Sequence, residues 1–303
     1  MLTIGFVVVV HSTTAELWRY GQQREIAERL LSFAQDDTHS VLLMGRLCYR
    51  GDQLQSLRGR VDEWTFQRCR GSDAALAQTL YKVDGIEGLC RLEGDFALAC
   101  HDRTANRLVA LRDPLGAYPL FWIQQGETTA LSTSIRPLVD LLPSVEFDEE
   151  YIVDYLTFPT DVFSELPLEH TAYQGVQRLL PGCLLEADLA AGHIICRPYW
   201  DWREKTTHLA VRSVDEAGEL VRGRLRAAVG ERLSRQGGSG CHFSGGFDST
   251  GVARLAAELA AKNSKPLHAL SRLPARSHTR SRKRIYPVCV GKKRRDHPSC
   301  DPG

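Results

Sequence analysis

The stretch from Cys241 to Ala260 constrains the fold most, because a strand, a glycine-rich turn and a helix follow one another closely. Cys241-His242-Phe243 predicts the end of a short buried strand. Ser244–Thr250 contains two glycines, and the chain from Gly251 onwards has a helical composition. Such a turn can hold an anion, because glycine admits close backbone approach and the first helical N–H groups point at the ligand. The same residues also fit an ordinary turn in which a serine or an aspartate caps the helix.

The string Ser244-Gly245-Gly246-Phe247-Asp248-Ser249-Thr250 resembles the pyrophosphate loop of the N-type ATP pyrophosphatases, and most closely that of the asparagine synthetase family. Members of that family activate a carboxylate as an acyl-adenylate, and an amine then displaces AMP. The resemblance implies that Phe243 to Thr250 bind the phosphates of ATP and that Leu270 and Ser271 lie on the adenine side. It also implies that Asp248 helps to place Mg²⁺. ATP and Mg²⁺ are therefore the expected cofactors.

The residues around this loop predict the start of an α/β domain with a parallel sheet over residues 201–271. Val214–Leu233 shows helical apolar spacing, with acidic residues early and Arg232 late, as the helix dipole favours. A helix follows the loop up to Lys262, and Pro266–Ser271 predicts a second strand. In such a βαβ arrangement the two strands are parallel and ligands bind at their carboxyl ends.

Residues 1–200 mix strands with helices, which predicts an α+β domain of sheets packed against helices. The predicted strands are Thr3–Val10, Val41–Gly45, Phe96–His101, Leu108–Arg112, Pro119–Ile123 and Thr129–Ser134. Helical spacing covers Gln23–Phe33 and Ser72–Lys82. Ser72 or Asp73 is the expected N-cap of the second helix, and Asp84-Gly85 its expected end.

Three further segments resemble class II glutamine amidotransferase domains, which have an Ntn-hydrolase-like fold of stacked antiparallel sheets with helices. Leu92–Ala97 is similar to the start of a strand in those domains, and Leu111–Leu120 to their RDxxGxxPL segment. Arg178–Gly182 followed by Arg197–Trp200 resembles the segment that closes this domain in asparagine synthetases. The combined resemblance covers roughly residues 1–271.

Departures from the pattern of this family predict that the domain does not hydrolyse glutamine. The family uses an N-terminal cysteine as its nucleophile, whereas position 2 here is Leu2, so we expect no catalytic nucleophile. The oxyanion-hole Asn-Gly pair of the family maps onto Met44-Gly45, and methionine cannot donate a hydrogen bond. Gly45, Gly94 and Asp95 form the expected remnant of the glutamine pocket, in which the family's aspartate binds the ammonium group. The alternative for Asp95 is a turn residue that orders the start of a strand.

Composition excludes several classes of protein. The net charge of +1 over 303 residues gives no general attraction to nucleic acid or to membranes. No apolar run approaches the roughly 20 residues that span a bilayer, and Ile4–Val10 is too short and lacks the basic flank of a secretory signal. Nine cysteines without a CxxC pair predict reduced thiols and no zinc site. We therefore predict a cytoplasmic protein that acts without nucleic acid or membrane partners.

Residues 272–303 combine many arginines and lysines with little apolar periodicity. Such a segment cannot bury enough apolar surface to fold, which predicts a basic, disordered tail, although a basic run can also bind nucleic acid. The resemblance ends near Ser271, whereas the synthetase domain of the family continues with an acidic segment and a catalytic basic residue. We therefore expect a C-terminally truncated and catalytically incomplete member of that family.

Three functions remain open from the sequence. The resemblance implies an ATP-dependent amide-forming ligase whose carboxylate substrate is a small molecule, such as aspartate, or a peptide. Lasso-peptide macrocyclases and β-lactam synthetases resemble this architecture and lack the N-terminal cysteine, which favours a cyclase that uses an internal amine. The incomplete second domain favours a non-catalytic fragment that acts only by binding. A homodimer or a complementing partner chain is an open alternative for the assembly.

Overall fold

In the computed structural model, the chain folds into two compact units, Met1–Thr207 and His208–Gly303. The structure describes residues 5–11, 14–20, 30–157, 168–206, 210–234, 237–272 and 285–289. Leu2 therefore lies outside the described residues, as does most of the predicted helix over residues 23–33. Among the described residues, no helix is both long enough and apolar enough to cross a membrane.

Two antiparallel sheets form the first unit. One contains β1 (Gly5–His11), β2 (Thr14–Tyr20), β7 (Phe121–Gln125), β8 (Thr128–Ser132) and β9 (Gln177–Arg178) in the order β2-β1-β8-β7-β9. The other contains β3 (Leu31–Gln35), β4 (His39–Cys48), β5 (Glu93–Asp102), β6 (Arg107–Arg112), β10 (Cys183–Asp188) and β11 (His193–Pro198). Its order is β11-β10-β6-β5-β4-β3, so the long strands β4 and β5 lie side by side.

Local capping explains where the longer helices of this unit begin. The helices are α1 (Arg50–Leu57), α2 (Glu63–Gly71), α3 (Asp73–Cys90), α4 (Ile135–Val139), α5 (Glu149–Thr157) and α6 (Trp202–Lys205). The Asp62 side chain accepts a hydrogen bond from the Thr65 N–H at the start of α2 (2.9 Å). Ser72, the predicted N-cap of α3, accepts from the Ala75 N–H (3.3 Å).

Three apolar cores arrange the first unit into helix, sheet, sheet and helix layers. Successive side chains of β1 point to opposite faces of its sheet, and both faces are buried. This explains why the strand is apolar at every position. Phe6 and Val8 pack in a core shared with Leu42 of the second sheet, while Val7 packs in another core with Leu138 of α4. A third core joins the outer face of β4 and β5 to α1, α2 and α3. The predicted α+β fold of stacked antiparallel sheets with helices is confirmed.

The second unit is the start of a parallel sheet, as predicted. It contains α7 (Val214–Arg232), β12 (Ser239–His242), α8 (Phe247–Lys262), β13 (Leu267–Arg272) and β14 (Ile285–Cys289). β12 and β13 are parallel, and β14 is antiparallel to β13. A small core that includes Val229 of α7, Leu255 of α8 and Leu267 of β13 holds the elements together.

Two helix predictions in the first unit are wrong in part. Leu31–Phe33, the end of the predicted helix Gln23–Phe33, belongs to β3, because Leu31 and Ala34 are buried while the strand pairs with β4. The helix α3 does not end at Asp84-Gly85 but kinks there, since Gly85 has a φ of 63°, and continues to Cys90. Tertiary packing overrides local propensity in both places.

Three predictions in the second unit also need correction. The helix after the loop begins at Phe247, four residues before the predicted start at Gly251, because Gly246 already has the extended conformation of an N-cap. His242, in the strand predicted to be buried, is exposed. The prediction of a disordered tail over residues 272–303 is wrong for the apolar segment Ile285–Cys289, which forms a strand that pairs with β13. Pro287 lacks an N–H group but is tolerated in a strand at the edge of the sheet.

Candidate functional site

The loop between β12 and α8 has the geometry of an anion site. The Phe243 N–H donates to the Leu270 carbonyl (2.8 Å), which holds the start of the loop beside β13. Gly245 has a φ of +83°, a conformation that favours glycine, and a Cβ there would meet nothing within 4 Å. Gly246 is the N-cap of α8, and no side chain caps the helix. The first N–H groups of α8 therefore point into the loop at the positive end of the helix dipole.

Hydroxyl groups within the loop bind one another and the backbone. The hydroxyl oxygens of Ser244 and Ser249 lie 2.9 Å apart, and the Ser244 N–H donates to the Ser249 hydroxyl (3.3 Å). The Gly246 N–H donates to the Ser244 hydroxyl (3.3 Å), and the Thr250 hydroxyl donates to the Gly246 carbonyl (2.7 Å). Two serines that are five residues apart in sequence are thus brought to one point beside the backbone donors.

The remaining residues predicted for this site lie around the same loop. Phe247 is 95% exposed, and Asp248 is exposed in the first turn of α8. Leu270 is 41% exposed and pairs in register with His242, while Ser271 follows it on β13. The described part of the chain holds no group of three or more residues that could bind a metal ion by themselves. Asp248 fits Mg²⁺ as one ligand, because Mg²⁺ commonly binds one or two carboxylates together with substrate phosphates.

In the first unit, the predicted pocket remnant lies on the paired strands β4 and β5. Gly45 has a φ of +104° and Gly94 a φ of +152°. A Cβ on Gly45 would lie 2.0 Å from the Asp95 carbonyl oxygen and 2.6 Å from Cε2 of Tyr118. A Cβ on Gly94 would lie 2.3 Å from the Arg46 carbonyl oxygen. Only glycine fits at these two positions, and Tyr118 covers one of them.

The side chains next to these glycines are those of Met44, Arg46 and Asp95. Met44 is 6% exposed and belongs to the core between the two sheets, so it offers no donor for an oxyanion. Asp95 is the third residue of β5, so it lies in the strand near its start and not in a turn. Its carboxylate is paired with Arg46, with 3.9 Å between Asp95 Oδ2 and Arg46 Nε.

The three sequence segments of the first unit meet at Arg112 and Asp113. Arg112 is buried and donates to the carbonyl oxygens of Tyr118 (2.8 Å), Gly116 (2.9 Å) and Leu179 (3.1 Å). Asp113 accepts from the N–H groups of Phe96, Leu115 and Ala117. Burial raises the pKa of Asp113, and these three N–H bonds partly offset that effect. The pair therefore fixes the loop that places Tyr118 over Gly45.

Sequence reasoning did not identify Arg46 and Tyr118 as members of this site. Arg46 lies directly opposite Asp95 only because β4 and β5 pair in one particular register. Tyr118 reaches Gly45 only because Arg112 and Asp113 hold its loop in place. The place of Tyr118 within the RDxxGxxPL segment was the available signal, but its contact with Gly45 was not visible in the sequence.

Both units match known families. A family model described as a glutamine amidotransferase domain matches residues 37–200, and a model described as asparagine synthase matches residues 220–278. The second match includes the whole loop from Ser244 to Thr250.

Individual relatives carry related names. A putative glutamine-hydrolysing asparagine synthetase of Mycobacterium tuberculosis is 32% identical over 68% of this chain and 30% of its own length. An amidase of Gibberella zeae is 28% identical over 71% of this chain and 30% of its own length. A Bacillus subtilis glutamine-hydrolysing asparagine synthetase is 27% identical over 78% of this chain and 36% of its own length. The chain thus spans about a third of the length of these curated relatives.

Solved structures are more distant. A glutamine phosphoribosylpyrophosphate amidotransferase from B. subtilis aligns with 95% of this chain and 66% of its own, at 13% identity and a TM-score of 0.35. A glutamine aminotransferase class-II domain protein from Silicibacter pomeroyi aligns with 65% of this chain and 98% of its own, at 13% identity and a TM-score of 0.36.

Proposed function

The chain belongs to the asparagine synthetase family, and from that premise we propose that it takes part in ATP-dependent amide-bond formation through adenylation of a carboxylate. The observation that carries the proposal is the loop Ser244–Thr250, which connects β12, a strand parallel to β13, to the N-terminus of α8. It lies at the carboxyl end of β12, where α/β sheets bind their ligands.

Each group at the loop has a role in this proposal. The backbone N–H groups and the hydroxyls of Ser244 and Ser249 would bind the pyrophosphate part of ATP. Leu270 and Ser271 would lie beside the adenine, and Asp248 would bind Mg²⁺ together with the phosphates. Mg²⁺ supplies positive charge at the reacting phosphate when it is bound. Residues 243–250 contain no lysine or arginine, so cationic side chains that stabilise the transition state must come from elsewhere.

ATP–pyrophosphate exchange tests this proposal. The purified chain is incubated with ATP, Mg²⁺ and labelled pyrophosphate, together with aspartate or with a candidate precursor peptide. Exchange that needs a carboxylate substrate and is lost in Asp248→Ala would support the proposal and overturn the expectation, drawn from the sequence, of a catalytically incomplete chain. Nucleotide binding without exchange on any carboxylate would contradict the ligase proposal and favour a chain that acts only by binding.

The second part of the proposal is that the amine does not come from glutamine. Met44 has no donor for an oxyanion, and the Arg46 guanidinium lies 3.9 Å from the Asp95 carboxylate. This combination favours the cyclase alternative, in which a peptide or a small molecule supplies its own amine. Glutamate release from glutamine is the assay, with boiled protein as control. Release at a rate comparable to that of an active glutaminase domain would overturn this part.

A further inference from the structure

The helix α5 and the segment before it expose a group of apolar side chains on the first unit. None of the nine residues of α5 is buried, and Val153, Tyr155 and Leu156 are 59%, 59% and 70% exposed. Val145 and Phe147, just before the helix, are also more than half exposed. We call these five residues the α5 surface. Soluble proteins rarely expose large apolar groups so close together in one segment, and such a surface is typical of a contact with another polypeptide.

Local contacts give the α5 surface a defined structure. The rings of Tyr151 and Tyr155 are stacked along the helix with 6.5 Å between their centroids, and those of Phe147 and Tyr173 are 5.5 Å apart. The Asp148 side chain accepts a hydrogen bond from the Tyr151 N–H (2.9 Å), as the N-cap of a helix does. The apolar side chains are therefore held on an ordered helix.

The charges around this surface are negative. Residues 137–177 contain nine aspartates and glutamates and no lysine or arginine. Glu149 and Glu150 are exposed in the first turn of α5. The two arginines that flank this range in the sequence already bind Asp140 (3.0 Å) and the Tyr151 hydroxyl (3.5 Å). A polypeptide that covers the α5 surface is therefore favoured if it carries positive charge.

The chain itself contains a segment of that charge. Residues 272–303 carry ten lysines and arginines and two aspartates, which is a net charge of +8. Because the whole chain has a net charge of +1, residues 1–271 carry −7. Residues 273–284 alone contain five basic residues and no acidic one, and we call them the basic segment. The near-neutral total thus hides two parts of opposite charge that complement each other.

We propose that the α5 surface binds the basic segment of a second copy of this chain. The positive charges of the segment attract the carboxylates of α5, and the aliphatic stems of arginine and lysine cover the exposed apolar groups. Every copy carries both the surface and the segment. The contact therefore forms twice between two copies, which closes a symmetric dimer.

Sedimentation velocity of the full chain tests this proposal. The wild type should associate in about 0.1 M salt and dissociate in about 1 M salt, because the Debye length falls from about 10 Å to about 3 Å. Glu149→Gln with Glu150→Gln removes charge from the surface, and Arg280→Gln with Arg282→Gln and Arg284→Gln removes it from the segment. Each set should weaken association about threefold or more, as expected for the loss of two or three exposed ion pairs.

Two further variants separate the α5 surface from general effects of charge. Glu87→Gln with Glu127→Gln removes two exposed acidic charges elsewhere in the first unit and should leave association unchanged. Val153→Ser with Leu156→Ser leaves every charge in place and removes apolar area from exposed positions, so it should weaken association without unfolding the chain. Circular dichroism of each variant checks the fold.

Mixing the two charge-removal variants shows whether the contact forms between copies. The variant of the surface retains an intact segment, and the variant of the segment retains an intact surface, so their mixture restores one complete contact. The mixture should therefore associate more strongly than either variant alone. A wild type that is monomeric in low salt, an equal loss in Glu87→Gln with Glu127→Gln, or a mixture no stronger than its components would overturn the proposal.

Discussion

Replacing Gly45 with alanine perturbs a position at which β4 lies too close to β5 for a side chain. The added Cβ would lie 2.0 Å from the Asp95 carbonyl oxygen and 2.6 Å from Cε2 of Tyr118, at a φ of +104°. The backbone conformation alone costs a residue other than glycine about 1–3 kcal/mol. Forcing the strands or the ring apart adds about 1–3 kcal/mol of overpacking. We therefore expect Gly45→Ala to lower the free energy of unfolding of this unit by about 2–6 kcal/mol.

Two other glycines separate these contributions. Gly59 has a φ of +76°, and a Cβ added there would meet nothing within 4 Å, so Gly59→Ala reports the backbone strain alone. Gly51 lies in α1 and also has open space, so Gly51→Ala should be neutral or slightly stabilising. Urea unfolding followed by circular dichroism measures all three variants. If Gly45→Ala is no more destabilising than Gly59→Ala, the close approach of β4 to β5 is refuted.

Three further predictions concern stability. Ser72→Ala removes the N-cap of α3 and should cost about 1 kcal/mol in urea unfolding, whereas an unchanged midpoint would show that the cap contributes nothing. Arg112→Lys replaces three separate donor nitrogens, Nε, Nη1 and Nη2, with a single nitrogen that cannot reach all three carbonyl oxygens, and it should cost about 1–3 kcal/mol per carbonyl left unpaired; thermal unfolding close to wild type would contradict this. Burial, and to a smaller extent the charge of Arg103, lower the pKa of His101 in the folded chain below its ordinary value of 6.5. As the pH falls, His101 is therefore protonated more readily in the unfolded chain than in the folded chain. Stability should therefore fall as pH drops below about 6.5, and His101→Gln should weaken that dependence in urea titrations between pH 8 and pH 5.

The sequence predicts elements well where local chemistry and tertiary packing agree. Val41–Gly45 and Phe96–His101 lie within β4 and β5, because their apolar residues face a core on each side of the sheet. The loop before α8 is predictable because glycine at a positive φ and a helix N-terminus are encoded within seven residues. Ser72 as the N-cap of α3 is likewise a local signal.

Features that depend on distant residues could not be predicted in this way. Leu31–Phe33 carries helical spacing, but pairing with β4 makes it a strand. Basic residues flank Ile285–Cys289 in the sequence, which hides a strand signal. The segment is a strand because it pairs with the edge of β13. The meeting of Arg46 with Asp95 depends on strand register, and a shift of one residue would turn the two side chains to opposite faces.

Titration of the purified chain with Mg²⁺ and ATP tests most directly whether Ser244–Thr250 is the nucleotide site. Gly245→Val places a β-branched residue at a φ of +83° and should weaken binding about tenfold or more, through strain in the loop. Gly251→Ala, in α8 with nothing within 4 Å of the new Cβ, is the matched control and should bind like wild type. Wild-type binding that is lost in Gly245→Val and kept in Gly251→Ala is the predicted result. No binding by the wild type, or equal binding by Gly245→Val, would contradict the account.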